Sequence, residues 1–173
     1  MSVDIGILLV RVLFGLAIAA HGSQKLFGAF GGYGLKGTGR FFETLGFKPG
    51  AMFASIAGLS ELMGGLLLAL GLLTPASAAV VVATMIVAML TVHLKNGFFA
   101  ANNGIELPFL FAAAALGMIF TGGGTYSLDA LLDLKFFADP YIVGGWLALT
   151  LIGARLTLAL RGQDQPQTAV TEQ

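Results

Sequence analysis

The sequence predicts an all-α membrane protein: a four-helix transmembrane bundle followed by a fifth apolar run at the C-terminal end. Three observations carry this expectation. Hydrophobic residues make up 57% of the 173-residue chain and charged residues only 10%, whereas a water-soluble domain carries about 25% charged residues. The apolar residues gather into runs near the ~20 residues a helix needs to cross a bilayer. Where such a run holds a charge, the charge stands almost alone.

The first run covers residues 5–21 and reaches residue 27 if its polar end is included. It does not read as a secretory signal, because Asp4 takes the place of a basic segment and Arg11 interrupts the apolar stretch. A Gly-rich polar stretch, residues 28–50, holds Lys36, Arg40, Glu43 and Lys48. The second run covers residues 51–73, with Glu61 as its only charge. Thr74-Pro75 makes a short turn, and Pro suits the first position of a helix. The third run, residues 76–94, is uncharged, and a polar loop follows at 95–104. The fourth run covers residues 105–121 and stops at Gly122-Gly123-Gly124. Residues 126–140 read as a short interfacial segment in which Asp129, Asp133 and Lys135 alternate with Leu and Phe. The fifth run, residues 141–160, contains Arg155 and reads either as a further span or as an amphipathic interfacial helix. The remaining polar tail has the composition of a disordered segment. Small residues four apart, Gly15 with Ala19 and Gly65 with Ala69, suit close helix contact in lipid.

Composition also excludes function classes. The formal net charge is zero and no long basic run exists, which argues against nucleic acid as a partner. The chain has no cysteine, so dithiol redox chemistry, thiolate nucleophiles and iron–sulfur ligation are absent from it. With single-pass crossings, the 28–50 and 95–104 loops lie on one membrane face. They hold Lys36, Arg40, Lys48 and Lys95, with Lys25 just before the first, and the positive-inside bias places that face in the cytoplasm of a plasma (inner) membrane.

Two groups of residues could carry chemistry. Arg11 and Glu61 each sit inside an apolar helix, where a central charge costs about 2.5–3.5 kcal/mol. If the first helix leaves the hydrocarbon near His21, both lie about 15 Å deep, and an Arg11–Glu61 ion pair follows. Such a pair serves either chemistry or bundle order alone. The second group is His21, Lys25, His93, Asn102 and Glu106, which the loop arrangement brings to one end of the bundle. His21 and Lys25 are four apart and share a helix face. His21, His93 and Glu106 are expected to converge on a cavity opening toward the 28–50 loop. There they could bind a quinone and exchange protons with it, since His titrates near neutral pH. The bland reading is that each snorkels separately into the headgroups. Two His and a carboxylate are also a known ligand set, yet nothing in the sequence shows the convergence a metal needs, and no metal is assigned. Trp146 and Tyr141 fit an interfacial aromatic belt.

These residues resemble the DoxX family. The similarity lies in Arg11…Gly15…His21-Gly22…Lys25, in Glu61…Gly64-Gly65…Gly71-Leu72-Leu73-Thr74-Pro75, in His93…Gly97-Phe98, in Asn102…Gly104…Glu106 and in Gly122…Gly124…Ser127-Leu128-Asp129. The resemblance covers roughly residues 5–132 and implies a DoxX-like four-helix domain over residues 1–132; the extra apolar or interfacial helix over 133–161 and the polar tail over 162–173 fall outside it and rest on their composition alone. It also implies a small multi-pass subunit of a membrane oxidoreductase complex, with quinone as its non-covalent cofactor and a soluble oxidoreductase as its partner. Two other functions remain open at this point: a non-catalytic anchor or assembly factor, and a small transporter or proton conduit. A homo-oligomer is compatible with either.

Overall fold

The computed structural model describes residues 2–134 and 139–162, and every regular element among them is helical. Five helices run between the two ends of the bundle: α1 (Ser2–Phe27), α3 (Gly50–Leu70), α4 (Thr74–Ala88), α5 (Glu106–Thr121) and α7 (Pro140–Ala159). Two shorter ones, α2 (Gly34–Thr44) and α6 (Leu128–Leu131), lie between them. A π-turn (Met89–His93) and a 3₁₀ turn (Leu94–Asn96) continue α4. With that extension α4 joins α1, α3 and α7 as helices long and apolar enough to cross a membrane. The fourth apolar run, α5, is shorter at 16 residues.

Helices α1 and α3 form a close antiparallel pair because glycines remove the side chains between them. A Cβ on Gly15 would stand 2.6 Å from the Ala69 nitrogen and the Gly65 oxygen. One on Gly65 would stand 2.6 Å from the Ala19 nitrogen. Farther along, a Cβ on Gly22 would stand 2.6 Å from the Gly58 oxygen. The small residues expected to meet thus mesh across one seam. Around it, Ile18, Leu68, Val81, Ala115 and Ile119 form the fully buried core. Large apolar side chains such as Leu9, Leu13, Leu16, Phe120 and Leu151 face outward. A soluble monomer rarely exposes so broad an apolar surface; lipid accepts it.

The α3–α4 turn shows how a tight connection is satisfied without water. Gly71, at φ 65, ends α3, and the Leu72 amide closes back on the Leu67 carbonyl at 2.9 Å, a Schellman ending. Leu73 follows at φ 49. The free amides of Leu73 and Thr74 then donate to the two carboxylate oxygens of Asp129, at 2.7 and 2.8 Å. Asp129 therefore caps α4 from another segment and sits where the helix dipole favours a negative charge.

The fifth apolar run lies along the bundle and is long and apolar enough to cross a membrane. Asp139 caps its start by accepting from the Tyr141 amide at 2.9 Å. Near mid-length, Thr150 Oγ1 donates to the Ala79 carbonyl of α4 at 3.3 Å. At its far end Arg161 Nε donates to the Leu45 carbonyl at 2.5 Å, and the Gly162 amide to Gly46 at 2.9 Å. The end of α7 is thus held against the α2–α3 connection. Of the expected interfacial segment, Lys135 lies outside the described residues, as does the expected tail beyond Gly162.

Candidate functional site

The expected Arg11–Glu61 pair does not form. Helix α1 continues past His21 to Phe27, so the antiparallel contact with α3 is displaced by about three turns from the register that pair required. Arg11 lies at the α3–α4 turn. Its guanidinium donates to the Ala69 carbonyl at 2.9 Å and to the Tyr126 carbonyl. The Asp129 carboxylate is close enough to interact electrostatically with it. Glu61 lies level with the other part of α1, and its Oε2 receives the Lys25 ammonium at 2.5 Å. Both charges are buried, Arg11 at 2% exposure and Glu61 at 3%, and both point into the protein.

The Lys25–Glu61 pair stands in the wall of a cavity of about 650 Å³ lined by residues of α1, α2, α3, α4, α5 and α7. Most of the lining is apolar: Phe41, Phe42, Phe47, Phe53, Phe111, Ile18, Leu149 and Trp146 among others. The lining also includes polar side chains, among them His21, Lys25, Ser60, Glu61, Thr91, His93, Asn103 and Thr150. Trp146 is a cavity wall, while Tyr141, 91% exposed at the start of α7, suits the membrane boundary.

Each polar group is held by its local structure. His21 lies edge-on to Phe111, with ring centroids 5.6 Å apart, and its Nδ1 pairs with Gln24 Oε1 at 3.0 Å. His93 occupies the last position of the π-turn, a type of widened turn that recurs at functional sites. Its Nδ1 pairs with the Asn103 carbonyl at 2.9 Å, which leaves Nε2 as its remaining polar atom. Thr91, in the same turn, is occupied by the Val87 carbonyl at 2.8 Å.

Two expected members lie elsewhere. Glu106 does not line the cavity, because its carboxylate accepts from the Ala100 amide at 2.7 Å and so holds the 3₁₀ turn Ala100–Asn102. Asn102 lies in that turn and is exposed; its neighbour Asn103 reaches the cavity. The acid near His21 is Glu61. Sequence reasoning paired it with the wrong cation, although Lys25 at the end of α1 and Glu61 are nearly level once α1 is taken to its full length. Asp129 was also missed as the charge facing Arg11. The available signal was that residues 122–129 and the start of α1 share one membrane face.

Known proteins show the same pattern. The family model for DoxX matches residues 6–94, about half of the chain, from α1 through the π-turn that holds His93. CatD of Bacillus subtilis, whose name places it provisionally among oxidoreductases, is 34% identical over 128 residues, or 74% of this chain and 87% of CatD. The inner membrane protein YqjF of Escherichia coli is 31% identical over 137 residues, 77% of this chain and 96% of its own. The uncharacterized membrane protein Rv3486 of Mycobacterium tuberculosis is 27% identical over 139 residues, covering 75% and 82%. No solved structure matches. By the family match, and by similarity over about three quarters of its length, the chain is a membrane protein of the DoxX family.

Proposed function

We propose that the protein is a quinone-binding subunit of a membrane oxidoreductase, and that the cavity beside Lys25–Glu61 is the quinone site. The observation that carries this reading is the combination of size and lining. At about 650 Å³ the cavity falls in the range of small-ligand sites, which are mostly apolar with a few convergent polar groups. Aromatic and aliphatic walls suit a flat ring and its lipid tail. His21 and His93 can donate to carbonyl oxygens, and Glu61 can exchange a proton. The name of CatD supports a redox role, and that of YqjF supports the inner membrane as the location. The Lys- and Arg-bearing end, with Lys36, Arg40, Lys48 and Lys95, is then cytoplasmic.

Trp146 is the chain's only tryptophan and it lines the cavity, so it reports directly on occupancy. A short-tailed ubiquinone or menaquinone analogue added to the purified protein in nanodiscs should quench Trp146 fluorescence with saturation. His21→Ala and His93→Ala should each weaken the apparent Kd by about tenfold, the worth of one hydrogen bond of ~1.4 kcal/mol. Linear quenching, unchanged by either substitution, would mean partition into lipid only. The anchor or conduit reading would then take precedence.

A further inference from the structure

Beside the central cavity lies a second one of about 530 Å³, and the two share a wall. Lys25, Phe41 and Phe42 line both. Both linings are largely apolar. The second cavity is bounded by Gln24, Tyr33, Thr38 and three glycines of the 28–50 connection, whose side chains and bare peptide groups can hold water. Its rim reaches the outside at Tyr33, which is 86% exposed.

Two polar connections pass through the wall. Gln24 lines the second cavity and holds the Nδ1 of His21, which lines the first. One residue on, Lys25 lines both cavities and meets Glu61, which lines only the first. Phe41 and Phe42 close the space around them. Exposure falls along this line, from Tyr33 to the Lys25 side chain at 26% and the Glu61 side chain at 4%. A buried pair that only ordered the bundle would not need to stand where two cavities meet.

We propose that the second cavity is a hydrated proton port, and that Lys25–Glu61, with Gln24–His21 beside it, passes protons through the wall to a ligand in the central cavity. The identity of that acceptor rests on the quinone reading; the port does not. In one transfer the Lys25 ammonium gives a proton to the Glu61 carboxylate, leaving an amine and a carboxylic acid. The amine takes a proton from water in the port. Glu61 then gives its proton to a basic oxygen of the ligand, so that one proton moves from water to ligand and both side chains return to their first state. The other titratable groups around the pair are His21 on α1 and His93 at the end of α4, both lining the central cavity. On α2, Glu43 accepts from the Gly50 amide at 3.1 Å.

Lys25→Met and Lys25→Gln test the transfer without any quinone. Both are uncharged and similar in size, so a purely structural pair predicts the same behaviour for the two. With its cation gone, the buried Glu61 carboxyl takes up a proton in preference to remaining an unpaired charge. Its acid carbonyl stretch then appears in the infrared, and Glu61→Gln in the same background identifies the band. On transfer to heavy water the Gln variant, which keeps a hydrogen-bonding link through the wall, should exchange that proton about tenfold faster than the Met variant, the worth of one hydrogen bond of ~1.4 kcal/mol. Equal exchange rates overturn the proposal. If neither variant folds, single cysteines in this cysteine-free chain decide the matter. In nanodiscs, Thr38→Cys in the port should react with a charged methanethiosulfonate, and Ala83→Cys in the central cavity should not. An inert Thr38→Cys or an equally reactive Ala83→Cys overturns the proposal. Because neither measurement involves quinone, failure of the port and failure of the Trp146 titration are separate results.

Discussion

Glu61 and Arg11 are both buried charges, yet they are compensated by different means. Arg11 is spread over backbone carbonyls, with Asp129 nearby, an arrangement that ties α1 to the α3–α4 turn and the 122–129 segment. Glu61 depends on the single ammonium of Lys25. Removing one member of a buried pair leaves the other uncompensated, at a cost of about 3–5 kcal/mol. Because the Lys25 side chain is 26% exposed, the lower end of that range, ~3 kcal/mol, is expected here. Thermal unfolding in detergent should therefore show Lys25 variants losing more stability than Lys36→Ala, which removes an exposed cation. Equal melting of Lys25→Ala and Lys36→Ala would show that Glu61 finds compensation elsewhere. The inward orientation of both charges was legible in the sequence, because lipid penalises either one on the outside. Which cation meets which acid was not, since it depends on where α1 ends.

The pairing of α1 with α3 shows what helix patterns can and cannot supply. Gly15, Ala19, Gly65 and Ala69 mark the seam by their spacing, and they do meet. A stripe of small residues nevertheless permits sliding along itself, so it fixes the face without fixing the register. Register comes from contacts distant in sequence, such as Lys25 with Glu61 and Arg11 with Tyr126. The seam yields a sharp comparison. A Cβ on Gly22 would collide with α3 backbone, which cannot swing aside, whereas Gly6 has nothing within 4 Å. Gly22→Ala should lower stability by about 1–3 kcal/mol, while Gly6→Ala should leave the melting temperature unchanged or slightly raised, as expected for Gly→Ala in a helix. Similar melting of the two variants would mean that α1 and α3 separate at little cost. The π-turn of α4 was not legible at all. Nothing in the local apolar pattern distinguishes a widened turn from a regular one, though it is this turn that holds His93.

Across the whole molecule, the cavity is assembled from parts of unequal legibility. Its α1, α3 and α4 walls lie within the family match, while Trp146, Thr150 and Thr157 come from α7, beyond residue 94. Length alone left α7 undecided between crossing and lying flat. Its attachment through Thr150 to α4, and through Arg161 and Gly162 to the α2–α3 connection, lays it along the bundle. The same attachment brings Arg161 to the end of the bundle that already carries Lys36, Arg40 and Lys48.

The brevity of α5 has a consequence for the surrounding bilayer. Its 16 residues span about 24 Å at 1.5 Å per residue, short of the ~30 Å hydrocarbon thickness. The neighbouring helix α1 has 26 residues, which span about 39 Å. Phe109, Leu110, Leu116 and Phe120 on α5 face outward, so acyl chains on that flank must shorten to meet them, while those along α1 need not. This hydrophobic mismatch is costed per ångström, and it makes the protein sensitive to lipid chain length. In a series of nanodiscs built from progressively longer phosphatidylcholines, the melting temperature should fall as the bilayer thickens past α5. A melting temperature independent of chain length would show that α5 is shielded from lipid, as it would be if it formed the contact face of an oligomer.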